Sequence, residues 1–96
     1  MAYATAGDGV RLYYEEAGGG TPIVFVHEFG GSYWSWEPQM GFFSRRHRCV
    51  TFAARGYAPS DIPESVDAYS QAQAADDIVH VMDAAGIDKA HIVGLS

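Results

Sequence analysis

Three short segments of the chain carry the residues best suited to chemistry, and each follows an apolar run. They are His27-Glu28-Phe29-Gly30-Gly31-Ser32, Arg55-Gly56-Tyr57-Ala58-Pro59-Ser60-Asp61 and Gly94-Leu95-Ser96. Imidazole, carboxylate and hydroxyl groups are the side chains of acid–base and nucleophilic catalysis. In open parallel sheets such groups gather at the carboxyl ends of strands, so the elements before the segments decide whether they meet.

The apolar runs before these segments predict three parallel strands. Residues 23–27 form a continuous β-branched and aromatic run, which is typical of a strand buried on both faces. Residues 49–54 and 89–94 predict the other two strands.

Two further runs near the start predict a β-hairpin. Residues 3–6 and 10–16 flank Gly7-Asp8-Gly9, and an Asp-Gly pair supplies the positive φ that a hairpin turn needs. The glycine- and proline-rich residues 17–22 then predict a loop.

Two helices are predicted between the parallel strands. Residues 32–44 place apolar side chains on one helical stripe, and Ser70 begins a capping box whose helix ends at Gly86. Asp76 and Asp77 are expected to complement the dipole of that second helix. From residue 23 onward the order is therefore strand, helix, strand, helix, strand, the pattern of a parallel α/β sheet with right-handed crossovers.

Composition argues against several classes of function. The chain has 96 residues, a net charge of −6 and 48% hydrophobic residues, which predicts one globular domain at most. The acidic excess gives no electrostatic footprint for nucleic acid, and no apolar run reaches the roughly 20 residues of a membrane span. Cys49 is the only cysteine and the start of the chain has no signal-peptide pattern, so a cytoplasmic location is expected. The histidines show no zinc-ligand spacing, and no metal or other cofactor is expected.

The three segments together resemble motifs of the α/β-hydrolase fold family. The first is similar to the family's His-Gly-x-Gly-Gly turn, the second to its Arg-Gly-x-Gly-x-Ser-Asp turn, and the third to the first half of its Gly-x-Ser-x-Gly nucleophile elbow. All 96 residues fit this register. The resemblance implies the N-terminal part of a single α/β-hydrolase domain, with a β-hairpin followed by β-α-β-α-β and parallel strands.

The resemblance also implies a serine hydrolase site. Ser96 would be the nucleophile, on a sharp strand-to-helix turn for which Gly94 leaves room. The backbone N–H of Phe29 would be one donor of the oxyanion hole, and Gly30 and Gly31 would let the backbone approach closely.

Other residues are expected to shape this site without reacting. Glu28 departs from the family's glycine, and its carboxylate is expected to contact substrate and repel anions, or to pair with Arg55. Trp34 is expected to line an acyl pocket or the core. His27 is expected to hold its loop by hydrogen bonds, because the family's catalytic base lies far downstream. Arg55 and Asp61 are expected to fix their turn through charge-assisted hydrogen bonds.

Ser96 is the only member of the family's serine, acid and histidine triad in this chain. The resemblance therefore implies that the chain alone is not a competent enzyme. It also implies that the strand of Ile92 and Val93, central in the family's sheet, forms an exposed apolar edge. We expect the C-terminal remainder of the protein to be present as a separate polypeptide along this edge. The alternative is a fragment that pairs with a second copy as a homo-oligomer.

The leading hypothesis is a hydrolase that acts on an ester, thioester, lactone or similar acyl bond of a small molecule through a serine acyl-enzyme. Ser96 argues against haloalkane dehalogenase and epoxide hydrolase relatives, whose elbow nucleophile is a carboxylate. Cofactor-free perhydrolases and C–C bond hydrolases stay open, as does a non-catalytic receptor with the same fold. A nucleotide-binding module is disfavoured because the chain lacks Gly-x-Gly-x-x-Gly and Gly-Lys-Ser/Thr motifs.

Overall fold

The computed structural model describes residues 2–95, which form a five-stranded sheet between helices. The strands are β1 (Ala2–Thr5), β2 (Arg11–Ala17), β3 (Thr21–Val26), β4 (His47–Phe52) and β5 (His91–Gly94). Their order across the sheet is β1-β2-β4-β3-β5. The β1–β2 hairpin is antiparallel and β2 is antiparallel to β4, whereas β3 runs parallel to both β4 and β5. The predicted fold class is confirmed.

Two α-helices connect the parallel strands. The first, α1 (Glu37–Phe43), follows a 3-10 turn at Tyr33–Trp36, and the second, α2 (Gln71–Ala84), follows a 3-10 turn at Val66–Ala68. The Ser70 hydroxyl accepts a hydrogen bond from the Gln73 N–H at 3.0 Å, so Ser70 is the N-cap of α2 as predicted. The second bond of the predicted capping box is wrong, because the Gln73 side chain donates to Asp77 Oδ1 at 2.9 Å. Within residues 2–95, no helix has both the length and the apolar character needed to cross a membrane.

The predicted loop over residues 17–22 is shorter in the structure. Strands β2 and β3 extend into it, and Pro22 pairs with Arg48 of β4. Proline is tolerated there because it lies at the start of a strand. Gly18 and Gly20 have φ angles of 83° and 109°, so a few glycines reverse the chain.

Strand β4 begins at His47, two residues before the predicted start at residue 49, and ends at Phe52. The basic residues 45–48 obscured this start, because positive charge there is also typical of a helix end. The Arg48 guanidinium instead bonds the Glu16 carboxylate of β2, with N–O distances of 2.7 and 3.2 Å.

Side chains of β3 alternate between two cores, as expected for a strand buried on both faces. On the α2 face the buried side chains include Leu12, Val24, Val50, Phe52 and Val81. On the α1 face they are Ile23, Phe25 and Cys49, against which Trp36 and Met40 pack. Burial on both faces fixes the position of β3 in the sheet, and with it the carboxyl end at which the first chemical segment begins.

Strand β5 is an edge of the described sheet, as the family resemblance implied. It pairs with β3 on one side, and Ile92 and Val93 are 48% and 38% exposed. An apolar edge with unpaired backbone groups is a template for another strand.

We expect a polypeptide of residues 1–96 alone to self-associate through β5. An Ile92→Lys substitution should raise its monomer fraction in analytical ultracentrifugation, because a charged edge residue opposes strand pairing. Val79→Lys is the matched control, since Val79 is 53% exposed on α2, away from the sheet edge. Equal monomer fractions for the two variants would show that β5 does not drive the association.

Candidate active site

His27 joins the carboxyl ends of β3 and β4. The Ala54 backbone N–H donates a hydrogen bond to His27 Nε2 at 3.1 Å, so the ring hydrogen lies on Nδ1, which donates to the Glu28 carbonyl at 2.9 Å. The side chain is buried. Both ring nitrogens are therefore engaged with backbone groups, which is the geometry of a loop anchor.

Residues 28–31 form a tight turn directly after His27. The Gly31 N–H donates to the Glu28 carbonyl at 2.9 Å, and Gly30 has a φ of 79°, which favours glycine. Phe29 is at the tip, with 94% of its surface exposed. Within residues 2–95, the Phe29 N–H donates to no acceptor.

Tyr57 contacts this turn, although no sequence pattern marked it as a site residue. Its hydroxyl oxygen accepts a hydrogen bond from the Gly30 N–H at 2.8 Å. Its ring packs edge-on against His27, with ring centroids 4.6 Å apart. The available signal was an aromatic residue next to the glycine of the second segment, which places a hydroxyl beyond the end of β4.

The Glu28 carboxylate turns back against its own loop. A Cβ on Gly31 would overlap this carboxylate, so the missing side chain at Gly31 makes room for it. Oε2 accepts a hydrogen bond from the Ser35 hydroxyl at 3.3 Å, while Oε1 is buried with no hydrogen-bond partner among residues 2–95. The expected pairing of Glu28 with Arg55 is wrong, because Arg55 binds two aspartates elsewhere.

Arg55 is the centre of a buried ionic network. Its guanidinium forms a two-bond fork with Asp77 at 2.7 and 2.9 Å and a second fork with Asp8 at 2.8 and 3.2 Å. It also donates to the Ala68 carbonyl at 2.8 Å. The Arg55 and Asp77 side chains are only 5% and 3% exposed. The network joins the β1–β2 turn, the segment after β4 and helix α2.

The charges of this network shift the acid–base equilibria of its members. The hydrogen bonds that Arg55 donates to Asp77 and Asp8 raise the pKa of its guanidinium above the ordinary value. The hydrogen bond from Arg55 in turn lowers the pKa of Asp8. The expectation that Asp77 complements the helix dipole is wrong, since it lies two turns into α2 and is buried against Arg55.

Asp61 closes the second segment at its other end. Its carboxylate accepts a hydrogen bond from the Arg11 backbone N–H at 2.8 Å, and this bond lowers its pKa. Ser60, also missed from sequence, is buried; its hydroxyl donates to the Ala53 carbonyl at 2.6 Å and accepts from the Tyr13 N–H at 2.8 Å. Arg55 and Asp61 thus attach the segment to different neighbours and not to each other.

The remaining predicted site residues lie around these turns. Trp34 is 65% exposed and lines a cavity of about 190 Å³ with Tyr33 and Met40, on the α1 side of the sheet. Gly94 pairs with Val26, and the Leu95 N–H donates a hydrogen bond to the Val26 carbonyl at 3.4 Å. Ser96 lies outside the described residues. Within residues 2–95, no group of three His, Cys, Asp or Glu side chains converges as a metal site.

A scan of protein families matches residues 21–96 to the alpha/beta hydrolase fold family. The chain belongs to this family, as the resemblance implied. Among curated proteins it is 38% identical over 97 residues to the inferred carbamate hydrolase RutD of Azorhizobium caulinodans, a match that covers 98% of this chain and 34% of that protein. It is 37% identical over 86 residues to epoxide hydrolase 1 of Caenorhabditis elegans, covering 88% of this chain and 21% of that protein.

Solved structures give the same family. An epoxide hydrolase from metagenomes of hot environments has a TM-score of 0.92 and 32% identity, over 97% of this chain and 32% of that one. The enol-lactonase of Burkholderia xenovorans LB400 has a TM-score of 0.90 and 28% identity, over 99% of this chain and 37% of that one. The chain spans about a third or less of the length of the curated relatives described above.

Replacing Arg55 should destabilise the fold strongly. Arg55→Met leaves Asp77 buried without its cation, and breaking a buried pair in this way costs about 3–5 kcal/mol of unfolding free energy. Arg11→Met, which breaks an exposed pair with Asp61, should cost under about 1 kcal/mol. Urea denaturation followed by tryptophan fluorescence measures both, and similar losses would contradict a special role for Arg55.

Acid should weaken the network through Asp8. Because its pKa is lower in the folded than in the unfolded protein, the stability it contributes is present above the ordinary value of 3.8 and is lost as pH falls through the folded-state pKa. Asp8→Asn should therefore show a smaller loss of urea midpoint between pH 5 and pH 2.5 than the parent. An equal loss would mean that Asp8 titrates alike in both states.

Proposed function

We propose that this chain is part of a hydrolase that cleaves an ester, thioester, lactone or similar acyl bond of a small molecule. Ser96 is the nucleophile and the Phe29 N–H is one donor to the oxyanion. The acid and base of the triad come from a C-terminal remainder, without which the chain is inactive. No metal or cofactor takes part, and the single buried cysteine favours a cytoplasmic location.

The observation that carries this proposal is the Phe29 N–H, which lies in a fixed turn and has no acceptor among residues 2–95. His27 and Tyr57 anchor this turn at the carboxyl end of β3. Strand β5, which leads to Ser96, is the direct neighbour of β3, and Val26 pairs with Gly94. A donor held rigidly in place is what the oxyanion of an acyl transfer requires.

The proposed chemistry follows from these groups. Ser96 Oγ attacks the acyl carbon, and the electron pair of the C=O bond moves onto oxygen, which the Phe29 N–H stabilises. The serine proton passes to the base of the remainder and then to the leaving group as the tetrahedral intermediate collapses. Water repeats the sequence on the acyl-enzyme. His27 is not that base, because both of its ring nitrogens are occupied.

The names of the relatives cover several classes of hydrolase. They include an inferred carbamate hydrolase, epoxide hydrolases and a 3-oxoadipate enol-lactonase of Acinetobacter baylyi. A serine at position 96 favours the acyl bonds in this group over epoxides. We further propose that Glu28 and Trp34 border the substrate, and that the Glu28 carboxylate disfavours anionic acyl groups.

The proposed remainder would pair with the exposed edge of β5. The edge exposes Ile92 and Val93, and the chain matches only about a third of its RutD relative. We propose that a further strand of the same domain covers this edge.

Ser96→Ala should abolish the reaction of the protein with a fluorophosphonate probe and lower ester hydrolysis by at least about 10³-fold. Ser65→Ala is the matched control, because Ser65 is an exposed serine that caps the turn at Val66–Ala68. Its labelling should equal that of the parent. Labelling that survives Ser96→Ala, or a parent protein that is never labelled, would refute the proposed function.

A further inference from the structure

We propose that Tyr57 is a positioning residue for the oxyanion, acting through the Gly30 N–H on the neighbouring Phe29 N–H. The inference rests on the proposed function and adds a residue to it. Tyr57 touches neither the nucleophile nor the acyl group in this proposal. Its hydroxyl oxygen holds the Phe29–Gly30 peptide, which follows directly on the proposed donor.

The hydrogen bond from the Gly30 N–H to the Tyr57 hydroxyl connects the turn of residues 28–31 to the second segment. Within residues 2–95, it is the only hydrogen bond that joins residues 28–31 to a segment beyond residues 27–35. Gly30 has a φ of 79°, and glycine adopts positive and negative φ with similar ease. The turn therefore needs an outside contact to keep one conformation, and the Tyr57 hydroxyl supplies it.

Tyr57 is itself held in place. Its N–H donates to the Ala54 carbonyl at 3.0 Å, and its carbonyl accepts from the Ser60 N–H at 2.9 Å. The ring leans on His27, which bonds the Ala54 N–H. Arg55, two residues before Tyr57, is held by the carboxylates of Asp8 and Asp77. The hydroxyl is thus a rigid acceptor, and rigid donors are what oxyanion stabilisation depends on.

The acceptor also selects which N–H stays free. The Gly30 N–H is satisfied by Tyr57 at 2.8 Å, and the Gly31 N–H by the Glu28 carbonyl at 2.9 Å. Of these three consecutive N–H groups, only that of Phe29 has no acceptor among residues 2–95. Among residues 29–31, the turn therefore presents one backbone donor in a defined direction.

Tyr57→Phe tests this role, because it keeps the ring against His27 and removes only the hydroxyl. Tyr69→Phe is the matched control: the Tyr69 hydroxyl donates to the Pro63 carbonyl at 2.7 Å and does not touch residues 28–31. Both variants are made in the protein complete with its C-terminal remainder. The readouts are kcat and KM for a neutral aryl ester, inhibition by a trifluoromethyl ketone, and the thermal unfolding midpoint.

We expect Tyr57→Phe to lower kcat about tenfold while KM changes less than about twofold, because the donor is needed chiefly in the transition state. The trifluoromethyl ketone, which forms an oxyanion when serine adds to it, should bind about tenfold more weakly. The unfolding midpoint should match that of Tyr69→Phe, which should keep the parental kinetics.

The outcomes separate this inference from the proposed function. If the parent is labelled by a fluorophosphonate at Ser96 and Tyr57→Phe behaves like Tyr69→Phe, the role of Tyr57 is overturned and the proposed function stands. A loss of kcat with unchanged ketone binding and a lowered unfolding midpoint also overturns it, since that pattern is a structural effect. A parent that is neither labelled nor active overturns both.

Discussion

The buried guanidinium of Arg55 is the constraint on which the arrangement of the three chemical segments depends. It forms forks with Asp8 and Asp77, which come from the hairpin turn and from α2. A buried charge is tolerated only when it is paired and its hydrogen-bond donors are used, and five bonds to these aspartates and the Ala68 carbonyl meet that condition. Arg55 therefore fixes the position of the segment after β4 relative to both the β1–β2 hairpin and α2.

The segment after β4, once fixed by Arg55, positions the first segment through aromatic and backbone contacts. Tyr57, two residues after Arg55, carries the acceptor for the Gly30 N–H, and His27 bonds the backbone at Ala54 on the other side of Arg55. The turns after β3 and β4 are thus joined twice, by an imidazole and by a phenol. Each link uses a side chain whose polar atoms bond backbone groups, so the two turns hold one geometry relative to each other without a direct charge contact.

Much of the fold follows from local sequence, and most of the site does not. Burial on both faces marks β3, and a serine cap marks α2, because these patterns depend on neighbours a few residues apart. The partners of Arg55 lie 47 and 22 residues away, and the sequence offered only Glu28, as one of two alternatives for that carboxylate. Tyr57 was missed for the same reason, since its acceptor role exists only once β3 and β4 lie side by side. Ser96 was named by motif, and its geometry lies outside the described residues.

Asp8, Asp61 and Arg55 are charged throughout the neutral pH range. The pKa values of Asp8 and Asp61 are lowered and that of Arg55 is raised, so pairing moves each of them further from neutrality. The ion pairs of these three residues therefore persist at the pH where a catalytic imidazole titrates. Under the proposed function the backbone N–H of Phe29 supplies a dipole that does not itself titrate, and proton transfer falls to groups elsewhere. These ion pairs would then add no step to the pH dependence of such an enzyme near neutrality.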